Sequence, residues 1–189
     1  MSNIVLASGS PRRQELLNRI GITDFDIRVP ETDEHYPAGL SPAQIVEYIS
    51  REKADAAAKL CTPEEIVITA DTMVFLDDAR LGKPADEADA LRMLTALQGR
   101  SHTVCTGVTV RRGSEILTES ETTRVYFRPA DQAELLSYIA TGEPMDKAGA
   151  YGIQGYAAIF IEKIDGDYYN VMGLPVCQVG LMLRRAGIP

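Results

Sequence analysis

The stretch Ile66–Leu76, IVITADTMVFL, decides the fold. Apolar and β-branched side chains occupy both odd and even positions, the pattern of a central strand covered on both faces. Asp77-Asp78 behind it supplies a turn. Upstream, residues 3–7 read as a short buried strand. Ser8-Gly9-Ser10 then turns the chain into Pro11, which suits a first helical position and predicts a helix to about Gly21. Ser41-Pro42-Ala43-Gln44 has the spacing of a capping box with Pro at the first helical position, and opens a helix to about Leu60. Downstream, a helix is expected over residues 86–98, stopped by Gly99. Residues 103–110 and 116–127 alternate around Gly113 as a hairpin. A short helix over 131–141, a second hairpin of 157–164 with 168–171 around Asp165-Gly166-Asp167, and a closing helix over 175–186 complete the reading. Helices and strands mix without strict alternation, so the expected class is α/β with a mixed sheet.

With 189 residues, 45% of them hydrophobic and 24% charged, the chain can bury a core without a disulfide or metal staple, and residues 1–189 are expected to form one domain. It carries 27 acidic and 19 basic residues, a net charge of −8. That charge repels polyanions and argues against nucleic acid or an anionic membrane as partner. A phosphate-bearing ligand must therefore meet a local cluster of Lys and Arg. Cys61, Cys105 and Cys177 are odd in number and widely spaced, which argues for reduced thiols and a cytoplasmic location. The opening MSNIVLASGSPRR is too short in apolar residues for a signal peptide, and no run of eighteen apolar residues occurs, so neither export nor membrane insertion is expected.

Phosphate chemistry needs backbone donors at a helix start, fixed cations, and carboxylates for a metal or a water. Ser8-Gly9-Ser10-Pro11-Arg12-Arg13 offers the first two, although it lacks the Lys-Ser/Thr of a P-loop and also reads as a plain helix cap with two solvated arginines. Lys53 falls inside the apolar stripe of Ile45, Ile49, Ala56, Ala57 and Leu60, while Arg51, Asp55 and Lys59 fall outside it. A lysine there either snorkels to water or meets an anion. Asp71 sits inside the apolar strand, where an ionised carboxylate is costly unless paired, hydrogen-bonded or bound to metal. Glu34, in a polar loop, is a natural second oxygen ligand for a magnesium-like ion or simply solvated. Lys83 lies in a turn, Leu81-Gly82-Lys83-Pro84. Gln154 ends a glycine-rich run, Asp146 to Gly155, and can present a donor and an acceptor together to a base edge. His35 and His102 form no defensible nucleophile–base pair.

Together, LASGSPRRQELL, REKA around Lys53, ADT at Asp71, GKP at Lys83, DKAGAYGIQG and GDYYNVMGLP resemble the Maf family of nucleoside triphosphate pyrophosphatases, over nearly the whole chain. The resemblance implies a fold like that of the inosine triphosphate pyrophosphatases: a long mixed sheet flanked by helices, with two lobes around a nucleotide cleft. It implies hydrolysis of a nucleoside triphosphate to monophosphate and pyrophosphate with a divalent cation, Mg²⁺ or Mn²⁺, and pairing as a homodimer. Arg12, Thr72 and Gln154 look like the branch acting on dTTP, UTP and modified pyrimidines, whose role is to cleanse noncanonical nucleotides or restrain cell division. By the same resemblance Asp71 is the proton acceptor and Arg12, Thr72 and Gln154 set base choice. Ser8, Arg12, Arg13, Lys53 and Lys83 would bind the phosphates of the substrate, and Glu34 and Asp71, or groups near them, would hold the metal. Thr69 departs from the small residue the family usually has before Ala-Asp-Thr. A nucleotide-binding regulator of cell division with little turnover is the alternative reading.

Overall fold

The computed structural model describes residues 3–187. Its elements in order are β1 (Ile4–Leu6), α1 (Pro11–Arg19), β2 (Asp26–Ile27), α2 (Pro42–Ala58), β3 (Ile66–Leu76), β4 (Ala79–Leu81) and α3 (Glu87–Leu97). There follow β5 (Ser101–Arg112), β6 (Glu115–Phe127), α4 (Gln132–Ile139), β7 (Ile161–Asp165), α5 (Tyr168–Met172) and α6 (Val176–Arg185). The strands form a seven-stranded sheet in the order β2-β1-β3-β5-β6-β7, with β4 paired to β3 off this path. β1 runs parallel to β2 and β3, with Ile4, Val5 and Leu6 opposite Ile66, Val67 and Ile68, while β3–β4 and β6–β7 are antiparallel. The expected mixed sheet with flanking helices is therefore present. β3 has the expected bounds, and every residue of it except Thr72 is buried.

The chain divides into two compact units, and β3, β5 and β6 each contribute residues to both. The first holds the described residues up to Thr72, Thr106–Glu121, and Gly173 onward; the second holds Met73–Cys105 and Thr122–Met172.

In the first unit, α2 is built as its sequence demands. Ser41 accepts from the Gln44 backbone N–H and the Gln44 side chain accepts from the Ser41 N–H, closing the capping box with Pro42 behind it. Its buried face is Ile45, Val46, Ile49, Ser50, Ala54 and Ala57. Leu60 lies beyond the helix and is exposed, so the stripe ends one turn earlier than the sequence suggests. Close approach to the sheet depends on Gly107 of β5, because a Cβ there would lie 2.2 Å from the Val46 carbonyl oxygen. Buried hydroxyls fix the register: Thr69 Oγ1 donates to the Ser50 carbonyl at 2.6 Å, and Ser50 Oγ lies 2.9 Å from Thr109 Oγ1. The unusual Thr69 thus ties β3 to α2.

In the second unit the core gathers β4, α3, α4 and the far ends of the long strands around Leu94, Leu97, Phe127 and Phe160. Residues 168–171 are expected as a strand but form α5. Asp167 accepts from the Tyr169 N–H at 2.8 Å, starting a helical turn. Asn170 is buried with its amide donating to Val104 O and Thr123 Oγ1, and these bonds outweigh the β-propensity of Tyr-Tyr and Val.

His102 is buried edge-on to Phe127 and Tyr151, with Nε2 2.6 Å from Tyr151 Oη and Nδ1 without a partner among the described residues. Burial pushes its imidazole down to about 4. Unfolded, the ring takes up a proton near pH 6.5, so between roughly pH 6.5 and 4 the unfolded state binds more protons and stability falls as the pH drops. Urea unfolding at pH 7 and pH 5 should show wild type losing on the order of 2 kcal/mol more than His102→Gln over that interval. Equal losses in the two proteins would contradict this account of His102.

Candidate active site

Side chains alternate across a strand, and β3 uses both sides at the point where its apolar run is broken. Thr69 and Asp71 face α2; Thr72 faces the other way. On the α2 side, Lys53 stands one turn after Ser50 and is carried to the carboxylate by the register that Thr69 and Ser50 set. Its Nζ donates to Asp71 Oδ1 at 2.7 Å and to Glu34 Oε1 at 3.0 Å. The Asp71 and Lys53 side chains are only 8% and 17% exposed, whereas Glu34 is 47% exposed. Of the two readings of Lys53, snorkelling or meeting an anion, the second describes its position: it ties two carboxylates together. Asp71 Oδ2 is buried and has no hydrogen-bond partner among the described residues. A buried carboxylate oxygen left in this way has a strong requirement for a donor or a cation.

On the other side, the loop after β1 and the start of α1 supply the cations. Ser10 gives α1 no side-chain cap and no acidic residue lies in its first turn, so the positive end of the helix is not neutralised from within. The Arg13 guanidinium is held by three bonds: Nε to Gly173 O at 2.9 Å, Nη1 to Ser8 Oγ at 3.1 Å and Nη2 to Thr72 Oγ1 at 3.1 Å. Among the described residues, five N–H groups less three leaves one on each terminal nitrogen. Burial lowers the pKa of this guanidinium, the Asp71 charge opposes that shift, the adjacent Arg12 charge adds to it and Glu34 opposes it. Arg12 is half-buried beside it, and Ser8 is buried, accepting from Arg13 and from the Ser10 N–H at 3.3 Å. Ser8, Arg12, Arg13, Glu34, Lys53, Asp71 and Thr72 are thus brought together in the first unit.

Lys83 and Gln154 belong to the second unit, both exposed. Their loops are neighbours, since the Gly149 N–H donates to the Gly82 carbonyl at 3.0 Å. Gly149 at φ 71 and Ala150 at φ 61 take the left-handed turn that the glycine-rich run foreshadows, and Tyr151 is pinned by His102. Glu143 closes the other side, accepting from Tyr138 Oη at 2.9 Å and the Tyr156 N–H at 2.8 Å. Gln154 is therefore an exposed amide on a firmly held loop.

Sequence reasoning missed Gly173, Thr106 and Glu143 as members of these networks. Gly173, at φ +119, lies within MGLP and its conformation excludes ordinary side chains. Glu143 gives no local signal.

The model of the family described as Maf-like protein matches residues 3–186. This chain belongs to the Maf family. The "dTTP/UTP pyrophosphatase" of Symbiobacterium thermophilum is 52% identical over 189 residues, covering 100% of this chain and 96% of the relative. The protein of the same name from Pelotomaculum thermopropionicum is 48% identical, with 99% and 98% covered, and that from Bacillus pumilus is 45% identical, with 100% and 98% covered. Among solved structures, a HAM1 protein from Coxiella burnetii shares the fold, with a TM-score of 0.51 at 14% identity over 98% of this chain and 100% of that one. Among the described residues, no helix of this Maf protein is long and apolar enough to cross a membrane.

Proposed function

We propose that this Maf protein hydrolyses dTTP and UTP, and modified pyrimidine triphosphates, to the monophosphate and pyrophosphate. The observation that carries the reading is the buried Asp71 carboxylate, with one oxygen held by Lys53 and the other, Oδ2, without a partner among the described residues. Oδ2 accepts a proton from the attacking water. The water oxygen bonds to the α-phosphorus, the bond from that phosphorus to the α–β bridging oxygen breaks, and pyrophosphate leaves. Lys53 holds Asp71 in place and adds positive charge, and Arg12, Arg13 and Lys83 bind the phosphates with Ser8 as a neutral donor. The substrate's negative charge is thereby met locally, as an overall acidic chain requires.

A divalent cation, Mg²⁺ or Mn²⁺, fits the donors present. Asp71 and Glu34 supply hard oxygen ligands, and Asp71 Oδ2, without a partner among the described residues, serves at any one instant either as ligand or as acceptor of the water's proton. Two protein carboxylates plus substrate phosphates is a usual magnesium arrangement. When bound, the ion polarises the phosphate oxygens and offsets developing charge. Pyrophosphate release from dTTP and UTP should stop with a chelator and return with either metal; release of orthophosphate instead would place the cleavage elsewhere.

The family resemblance gives base choice to Arg12, Thr72 and Gln154, and of these Gln154 presents its amide to the pyrimidine edge. Gln154→Ala should lower the ratio of kcat/KM for dTTP to that for GTP by about 10-fold, because a polar edge left unpaired is penalised. An unchanged ranking of nucleotides would remove Gln154 from base recognition. Discrimination between uracil and thymine, one methyl group, should be small. The role that fits these substrates is the cleansing of noncanonical nucleotides or restraint of cell division, by a homodimer in the cytoplasm; the family resemblance supports that reading.

A further inference from the structure

The Thr72 hydroxyl has no room for a base. Its oxygen has three protein neighbours within hydrogen-bond distance: Arg13 Nη2 at 3.1 Å, Thr106 Oγ1 at 2.9 Å and the Gly173 carbonyl oxygen at 3.3 Å. A hydroxyl offers one donor and two acceptor positions, so three neighbours and its own Cβ complete a tetrahedron. Arg13 can only donate and Gly173 O can only accept, and in the Thr72–Thr106 contact either hydroxyl can be the donor. Gly173 O in turn accepts from both Thr72 and Arg13 Nε. Thr106 is fully buried on β5, and next to it Gly107 faces the opposite way, toward α2.

We infer that Thr106 is a positioning residue of the nucleotide site: with Gly173 it orients the Thr72 hydroxyl, which aims the Arg13 guanidinium at a phosphate, so Thr72 governs substrate use through Arg13 and not by touching the base. Among the described residues Arg13 is held at three of its five N–H groups, and the two that remain, one on each terminal nitrogen, are left for phosphate oxygens. Removing the Thr106 hydroxyl frees Thr72 to rotate and loosens one of the three bonds on Arg13. The inference rests on reading this site as a nucleoside triphosphate pyrophosphatase.

The test compares Thr106→Val, which keeps the shape, Thr106→Ser, which keeps the hydroxyl, Thr72→Val and the double variant Thr72→Val/Thr106→Val. kcat and KM are measured for dTTP, UTP and GTP, and a thermal melt is recorded for each protein. Thr106→Val should lower kcat/KM about 10-fold for all three nucleotides, with their ranking unchanged, and Thr106→Ser should recover most of that loss. Thr72→Val should act in the same way, and the double variant should be no worse than the poorer single one, because the two hydroxyls work as one unit. Additive losses would overturn the inference, as would a Thr72→Val protein whose dTTP-to-GTP ratio changes while Thr106→Val behaves as wild type. Calorimetric binding of inorganic pyrophosphate separates this from the function reading. If the wild type releases no pyrophosphate from any nucleotide, the function reading fails. The Thr106 inference then stands if Thr106→Val weakens pyrophosphate binding about 10-fold and Thr106→Ser does not, and falls if both bind as wild type.

Discussion

Asp71→Asn should bind nucleotide much as wild type does and lose about 10²- to 10⁴-fold in kcat, the range a positioned general base contributes. The substitution conserves shape and leaves the side-chain oxygen that accepts from Lys53 Nζ at 2.7 Å, so Lys53 and Glu34 stay connected. What changes is Oδ2, the atom without a partner among the described residues, which becomes an NH₂ that can neither take a proton nor ligate a cation. The melting temperature should therefore move by only a few degrees. Steady-state kinetics with dTTP, read beside a thermal melt and a nucleotide titration, checks this. Turnover near the wild-type value would take Asp71 out of the chemistry.

Lys53→Ala is expected to lower kcat/KM about 10- to 100-fold, the worth of one charge-assisted contact to a phosphate or to the reacting carboxylate. Unlike Asp71→Asn, it should also destabilise the fold. Asp71 would stay buried with no cation against Oδ1, beside Glu34 of the same sign, and breaking a buried pair from one end costs about 3–5 kcal/mol. The Lys53 side chain retains some exposure, which places the expected cost at the lower end of that range. Lys53→Arg keeps the charge but exchanges a point donor for a planar fork, and should recover stability better than it recovers rate. A lower melting temperature with kcat/KM unchanged would leave Lys53 as a structural tie alone.

Much of this was legible in the chain. β3 was readable to its ends because burial on both faces imposes β-branched residues at both parities, and α2 because its capping box is a local hydrogen-bond pattern. Asp71 and Lys53 were each conspicuous as a charge in an apolar context, and the structure joins the two anomalies in one ion pair. Other features were not local. The two-residue β2 and three-residue β4 are too short to show a period. Residues 168–171 read as a strand because the helical turn of α5 depends on Asn170 bonding to Val104, 66 residues away in sequence. The network around Arg13 joins residues 59 and 160 positions apart. Nothing in the local spacing of Thr106 or Gly173 announces that both close on Thr72. Thr72 is marked in the sequence only by the family resemblance, and the neighbours of its hydroxyl are visible only in three dimensions.

The most direct test of the central claim is pyrophosphate release from dTTP, UTP, CTP, GTP, ATP and 7-methyl-GTP, with and without Mg²⁺ or Mn²⁺, for wild type and Asp71→Asn. Metal-dependent release from dTTP and UTP ahead of the other four, abolished in the variant, is the expected result. Folded wild-type protein that binds these nucleotides and releases pyrophosphate from none of them would contradict it.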